Sequence, residues 1–272
     1  MKNKVICAAV VAAAAACATA EPMDGPLWFA GDDATAFELV STDFYEMWLA
    51  DRLSVGLEVS WATLTDAKRP EDWSRSQTFV GYINELKDDS QVTFAPVVTY
   101  WAARYVRATL RWDSVSGRTK NFNTATRHSD GEVEAAGPML TVEGVLPLFD
   151  DTLLLHAGVG VVRAFCDFDE DTWWHLGFAD QASWEALGRE QYHTRTGHYR
   201  EIEVDDAFGF ALCAGASWRP AERFELDLSV RHVWLEPDCT FGYRYVRGFE
   251  PLQEGDFTLD HLAVSLSASW VF

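Results

Sequence analysis

Apolar side chains recur at every second position along most of this chain. Leu262, Val264, Leu266, Ala268, Trp270 and Phe272 fall on one face of an extended segment, and His261, Ala263, Ser265, Ser267, Ser269 and Val271 on the other. This alternation predicts a β-strand, because successive side chains of extended backbone point to opposite faces. Phe208, Phe210, Leu212, Ala214, Ala216 and Trp218 repeat it against Gly209, Ala211, Cys213, Gly215 and Ser217. Leu153, Leu155, Ala157, Val159 and Val161 do so against His156, Gly158 and Gly160. Further strands are predicted over Leu53 to Trp61, Val106 to Trp112, Leu140 to Leu146 and Phe224 to Val230. Val92, Phe94, Pro96, Val98 and Tyr100 fit too, with a local weakening at the proline, which cannot donate to a ladder. Beyond residue 20 no stretch approaches about 18 consecutive apolar residues, which excludes membrane-spanning helices.

Short polar segments join these strands in pairs: Ala50-Asp51-Arg52, Ala102-Ala103-Arg104, Asp150-Asp151 and Arg219-Pro220-Ala221-Glu222. Between the pairs run long connections, roughly Thr65 to Gln91, Val115 to Val133, Asp167 to Val204 and Leu235 to Phe257. Short turns at one end and long loops at the other predict an all-β fold, a single transmembrane antiparallel up-and-down β-barrel. Four short turns imply about ten strands when both termini lie at the turn end. The first strand is then Pro26 to Asp33, ahead of a second that ends at Leu49; eight and twelve strands remain open. A secreted β-sandwich or a lipocalin-like barrel alternates in the same way. Against these, the second face of several strands is Gly, Ala and Ser, as in a narrow interior, where a solvated face carries more Lys, Glu and Thr.

Composition sharpens the membrane reading. The 272 residues include 12 Trp, with 17 Phe and 8 Tyr. Trp48, Trp101, Trp218 and Trp270 precede a short turn or the chain end, and Trp61, Trp112 and Trp234 lie at the opposite strand ends. Two rows of indoles match the aromatic girdles that anchor a barrel at both membrane interfaces, because the ring is amphipathic. A formal charge of -20 excludes nucleic acid as a partner, since phosphate binding needs a basic surface. At the amino end Lys2 and Lys4 precede an apolar run from Val5 to Ala16, closed by Ala18-Thr19-Ala20. That is the build of a secretory signal peptide over residues 1–20, with a barrel domain over 21–272. A lipoprotein signal acylated at Cys17 is the rival, and it lacks the usual leucine three residues earlier.

In these features the chain resembles the outer-membrane β-barrel proteins of Gram-negative bacteria, of the small porin-like or OmpA-like kind. The sharpest motif is the final strand, Ser265-Leu266-Ser267-Ala268-Ser269-Trp270-Val271-Phe272, with aromatic residues at the last position and two before it. It looks like the carboxyl-terminal signal read by the barrel-assembly machinery, so the resemblance implies an assembly role for Trp270 and Phe272. The family prefers glycine where Ser267 stands. The implied partners are outer-membrane lipid and that machinery.

Candidate chemistry is thinner. By parity Glu58, Arg107, Arg111, Asp113, Glu143, Glu225, Asp227 and Arg231 point into the lumen. A barrel this narrow is filled by side chains, so structural ion pairing is favoured over a charge-selective path for a small solute. In the longest loop Trp173, Trp174 and Trp184, with Phe178, Tyr192, Tyr199, His175, His193 and His198, are candidates to contact an extracellular ligand or to cap the barrel mouth, with Ser183 to Gln191 a short helix. Asp167, Asp169 and Asp171 suggest calcium, but Thr172 and Phe178 stand where an EF-hand loop needs Gly and Glu, so no metal site is expected. Cys166 and Cys239 are placed to pair, leaving Cys213 in the lumen. Barrel hydrolases exist, and Asp260-His261 and His156 are the only catalytic hints, with no nucleophile at a recognisable spacing. The expectation is a non-enzymatic, cofactor-free outer-membrane barrel with a structural or surface-interaction role and at most a narrow pore. A solute channel and a protein- or lipid-cleaving barrel are the alternatives.

Overall fold

The computed structural model describes residues 51–65, 86, 90–119, 131–170, 198–245 and 247–272. Among these, eight strands form a closed antiparallel barrel: β1 (Leu53–Leu64), β2 (Ser90–Ala103), β3 (Val106–Arg118), β4 (Gly131–Leu148), β5 (Leu153–Glu170), β7 (Ala207–Ala221), β8 (Phe224–Trp234) and β11 (His261–Val271). Three more, β6 (His198–Val204), β9 (Asp238–Tyr245) and β10 (Gly248–Asp256), make a separate sheet in the order β10-β9-β6. Tight turns at 104–105, 149–152 and 222–223 lie on one rim, together with Phe272, whose amide donates to the Leu53 carbonyl at 2.9 Å.

The wall has eight strands rather than ten. β1 is paired along both edges, Val55 lying opposite Trp270 of β11 and opposite Val98 of β2, so the ring has no edge left for an earlier pair. The bend at Asp51 opens the first wall strand instead of joining two. The predicted first strand, Pro26 to Asp33, lies outside the described residues, as do Leu49, Trp48, Cys17 and the signal segment 1–20.

Two of the expected long loops also contain regular structure. β5 runs on to Glu170, and β6, β9 and β10 occupy stretches read as loop. These three prolong β7, β8 and β11 beyond short breaks at 205–206, 235–237 and 257–260.

The alternation has its expected physical consequence, with apolar side chains outside and polar ones inside. Phe94 is 80% exposed and Phe208 79%, whereas Arg231 is 1% exposed. An exposed apolar belt of this extent is the reverse of a water-soluble barrel.

Candidate functional site

The inner wall carries five carboxylates (Glu58, Asp113, Glu143, Glu225 and Asp227), three arginines (Arg107, Arg111 and Arg231) and two histidines (His156 and His261), all buried. The register brings them together. Arg107 of β3 is the hub: its Nε donates to Glu143 at 2.6 Å, and its Nη atoms reach Ser217 at 3.0 Å, Glu225 at 3.1 Å and Asp227 at 3.2 Å. Arg111, four residues on and on the same face, donates to Glu58 at 2.8 Å and lies 3.7 Å from Glu143. Arg231 completes the chain, 2.9 Å from Glu58 and 3.6 Å from Asp113.

Both imidazoles face acceptors. His261 lies with Nε2 3.0 Å from Asp113 and Nδ1 2.9 Å from the Leu259 carbonyl oxygen. The His156 nitrogens sit 3.1 Å from Glu143 and 2.7 Å from Asp227, at ion-pair distance rather than as aligned hydrogen bonds. Two imidazoles and three arginines thus stand among the five carboxylates. Small residues make the room: a Cβ on Gly215 would lie 2.6 Å from His156 Nε2.

Apolar side chains close this network at both ends. Trp101, Val145 and Leu154 cluster toward the tight turns, with the Arg219 and Arg107 guanidiniums 4.9 and 6.0 Å from the Trp101 ring centroid. The opposite half is filled by a larger cluster that includes Leu64, Val133, Met139, Phe168, Phe241 and Phe257.

All eight inward charges named from the sequence therefore meet in one network. The sequence reading missed the contribution of His156 and His261: Glu143 is on the strand next to His156, but Asp227, and Asp113 for His261, are distant in the chain. Trp61, Trp112, Trp218, Trp234 and Trp270 are exposed on the outer face. Trp101 is not: it is 8% exposed and points into the barrel, because it follows Tyr100 by one residue and so takes the opposite face. Cys166, Cys213 and Cys239 are free thiols, so the link that Cys166 and Cys239 could have made is not formed. Asp260 does not join His261 but accepts the Leu235 amide at 2.9 Å. Trp173, Trp174 and Trp184, with Asp171 and the predicted helix at Ser183 to Gln191, lie outside the described residues.

Beyond the barrel, Glu134, Asp167, Asp169, Glu170, Glu201 and Glu203 line an open cleft of about 580 Å³ between the end of β5 and β6. Arg244 of β9 donates to Glu201 and, at 2.6 Å, to Glu203, and the Glu201 hydrogen bond holds its guanidinium above the usual range. Burial pushes the Cys239 thiol in the same sheet upward, reinforced by Asp256. Among the described residues no group of three or more His, Cys, Asp or Glu is arranged to hold a metal ion.

No protein-family model matches the chain, and no curated protein matches it in sequence. Solved structures do match its fold. The outer membrane protein OprG from Pseudomonas aeruginosa superposes with a TM-score of 0.53 at 13% identity, over 82% of this chain and 98% of that one. The outer membrane protein AlkL, determined in DMPC lipid bilayers, gives 0.53 at 14% identity, over 91% of this chain and 97% of that one. The fold is that of the outer-membrane β-barrel proteins, with eight wall strands.

Proposed function

We propose that this chain is an exported, integral outer-membrane barrel without an open pore, acting through its outer end in a structural or surface-interaction role. The observation that carries this reading is the lumen, where an internally matched ion-pair network lies between two apolar layers. An eight-stranded barrel is about wide enough to be filled by its own side chains, whereas aqueous channels take about sixteen strands or more. The exposed belt supports membrane insertion. From Phe208 to Trp218 on β7, and from Phe224 to Trp234 on β8, aromatic pairs stand ten residues apart. At about 3.4 Å per residue and about 45° of tilt this spans roughly 24 Å, the height of the apolar band of a membrane barrel.

A hydrolase is disfavoured by geometry. Ser217 donates to Asp227 at 2.6 Å and His156 lies 2.7 Å from the same carboxylate oxygen, so the acid stands where a nucleophile relay needs the imidazole. Outer-membrane lipid around the belt, the barrel-assembly machinery at Trp270 and Phe272, and an extracellular ligand at the outer sheet are the partners this reading supplies. No cofactor enters it.

Refolded protein in planar bilayers tests the closed lumen: no sustained conductance steps are expected, and steps of a water-filled pore would overturn it. Migration on a denaturing gel tests insertion, with a faster unboiled band expected. An unboiled band running with the boiled one, from protein that also partitions as soluble, would defeat the membrane reading.

A further inference from the structure

On the outer face of β5, Arg163 stands between two phenylalanines. Its guanidinium carbon lies 5.3 Å from the Phe165 ring centroid and 5.9 Å from that of Phe208, the residue paired with it on β7. Arg118 pairs with Glu132, and Arg244 with Glu201 and Glu203. Among the described residues Arg163, in contrast, has no ion-pair partner. Further along the same strand end, Asp206 accepts the Cys166 amide at 3.4 Å and Asp167 the Phe168 amide at 2.9 Å.

The depth of this arginine is set by the register. Trp112 pairs with Pro138, and the β4–β5 pairs Ala136–Phe165 and Met139–Val162 place Arg163 opposite Pro138. Arg163 therefore stands two strands along the wall from a girdle tryptophan and directly beside Phe208, the aromatic that begins β7's outer face, which places it toward the outer interface of the belt. A guanidinium at the interface costs little there, and a lipid phosphate is its strongest available partner. Its planar fork matches two phosphate oxygens, and the flanking rings hold it by cation–π attraction while leaving that fork free.

We infer that Arg163, with Phe165 and Phe208 flanking it, binds the phosphate of an anionic lipid headgroup, the acyl chains lying along the belt below. This rests on the membrane reading above. Nonspecific attraction does not explain such binding, because the chain as a whole carries a formal charge of -20 and repels anionic surfaces.

The test uses the full chain in nanodiscs of phosphatidylcholine with a minor fraction of phosphatidic acid, followed by native mass spectrometry of the lipid retained. Wild type is expected to retain one phosphatidic acid, about five- to tenfold in preference to phosphatidylcholine. Arg163→Gln is expected to lose that preference, Arg163→Lys to weaken it, and Arg104→Gln, on the opposite rim, to keep it. Arg163→Gln breaks no ion pair, so its heat-modifiable gel shift should match wild type and report folding separately. Equal retention by wild type and Arg163→Gln, both inserted, would overturn the inference while leaving the membrane reading intact. Displacement by excess inorganic phosphate would also overturn it, by assigning the site to a soluble anion. A chain that does not insert would defeat both.

Discussion

The same residue types behave differently in the two polar regions of this molecule. In the lumen, Arg107, Arg111 and Arg231 are buried and each touches at least two carboxylates. In the outer sheet, Arg244 also meets two carboxylates, Glu201 and Glu203, but at the surface and beside a cleft with further acids. Burial is what separates them. A buried charge that loses its partner is stranded in a medium that cannot solvate it, whereas an exposed one returns to water. Close pairing in the lumen is thus a condition for folding, whereas the acids of the open cleft lie where water reaches them.

Removing the hub tests this contrast most severely. Arg107→Met strands Glu143, Glu225 and Asp227 and is expected to cost about 3–5 kcal/mol, read as a lower urea midpoint for unfolding of the detergent-folded barrel. Gly215→Val pushes into His156 and into the Leu228 carbonyl oxygen without removing any charge, and a loss of about 1–3 kcal/mol is expected in the same titration. If it proves as severe as Arg107→Met, tight packing rather than charge matching holds the lumen. Arg244→Met should shift the midpoint by no more than about 1 kcal/mol, because its pairs are surface pairs. A larger loss would mean that the outer sheet is part of the cooperative unit. The smallest effect separates the regions by screening: at about 1 M salt the Arg244→Met difference should vanish and the Arg107→Met difference persist.

Much of the wall is legible in the sequence, since a period of two assigns every side chain to a face. That is why Glu58, Arg107, Arg111, Asp113, Glu143, Glu225, Asp227 and Arg231 all read as inward from parity. Trp101 was misread where position at a strand end was allowed to outweigh parity, which already assigned its neighbour Tyr100 to the outside. The strand count was misread because a short polar segment at Asp51 looks the same whether it joins two strands or precedes the first. Ile202 with Val204, and Cys239 with Phe241, carry period-two signals for the outer sheet, but too briefly to stand out from loop. The histidine contacts could not be read at all. His156 meets Glu143 on the adjacent strand β4 and Asp227 two strands away on β8, and no local pattern encodes the wall's curvature and closure.

That closure sets an order of events for the chain. Residues Ser54 to Leu64 pair with His261 to Val271, so the first and last wall strands are direct neighbours. The seam forms only after the final residues are delivered, and Arg231 gains Ser265, 2.5 Å away, only then. Contacts of such sequence separation make folding slow and leave much of the polar interior unsatisfied until the end. An incomplete chain is therefore an open sheet with charged groups bared on one face and an unpaired edge on each side. Both need shielding until β11 arrives to close the ring.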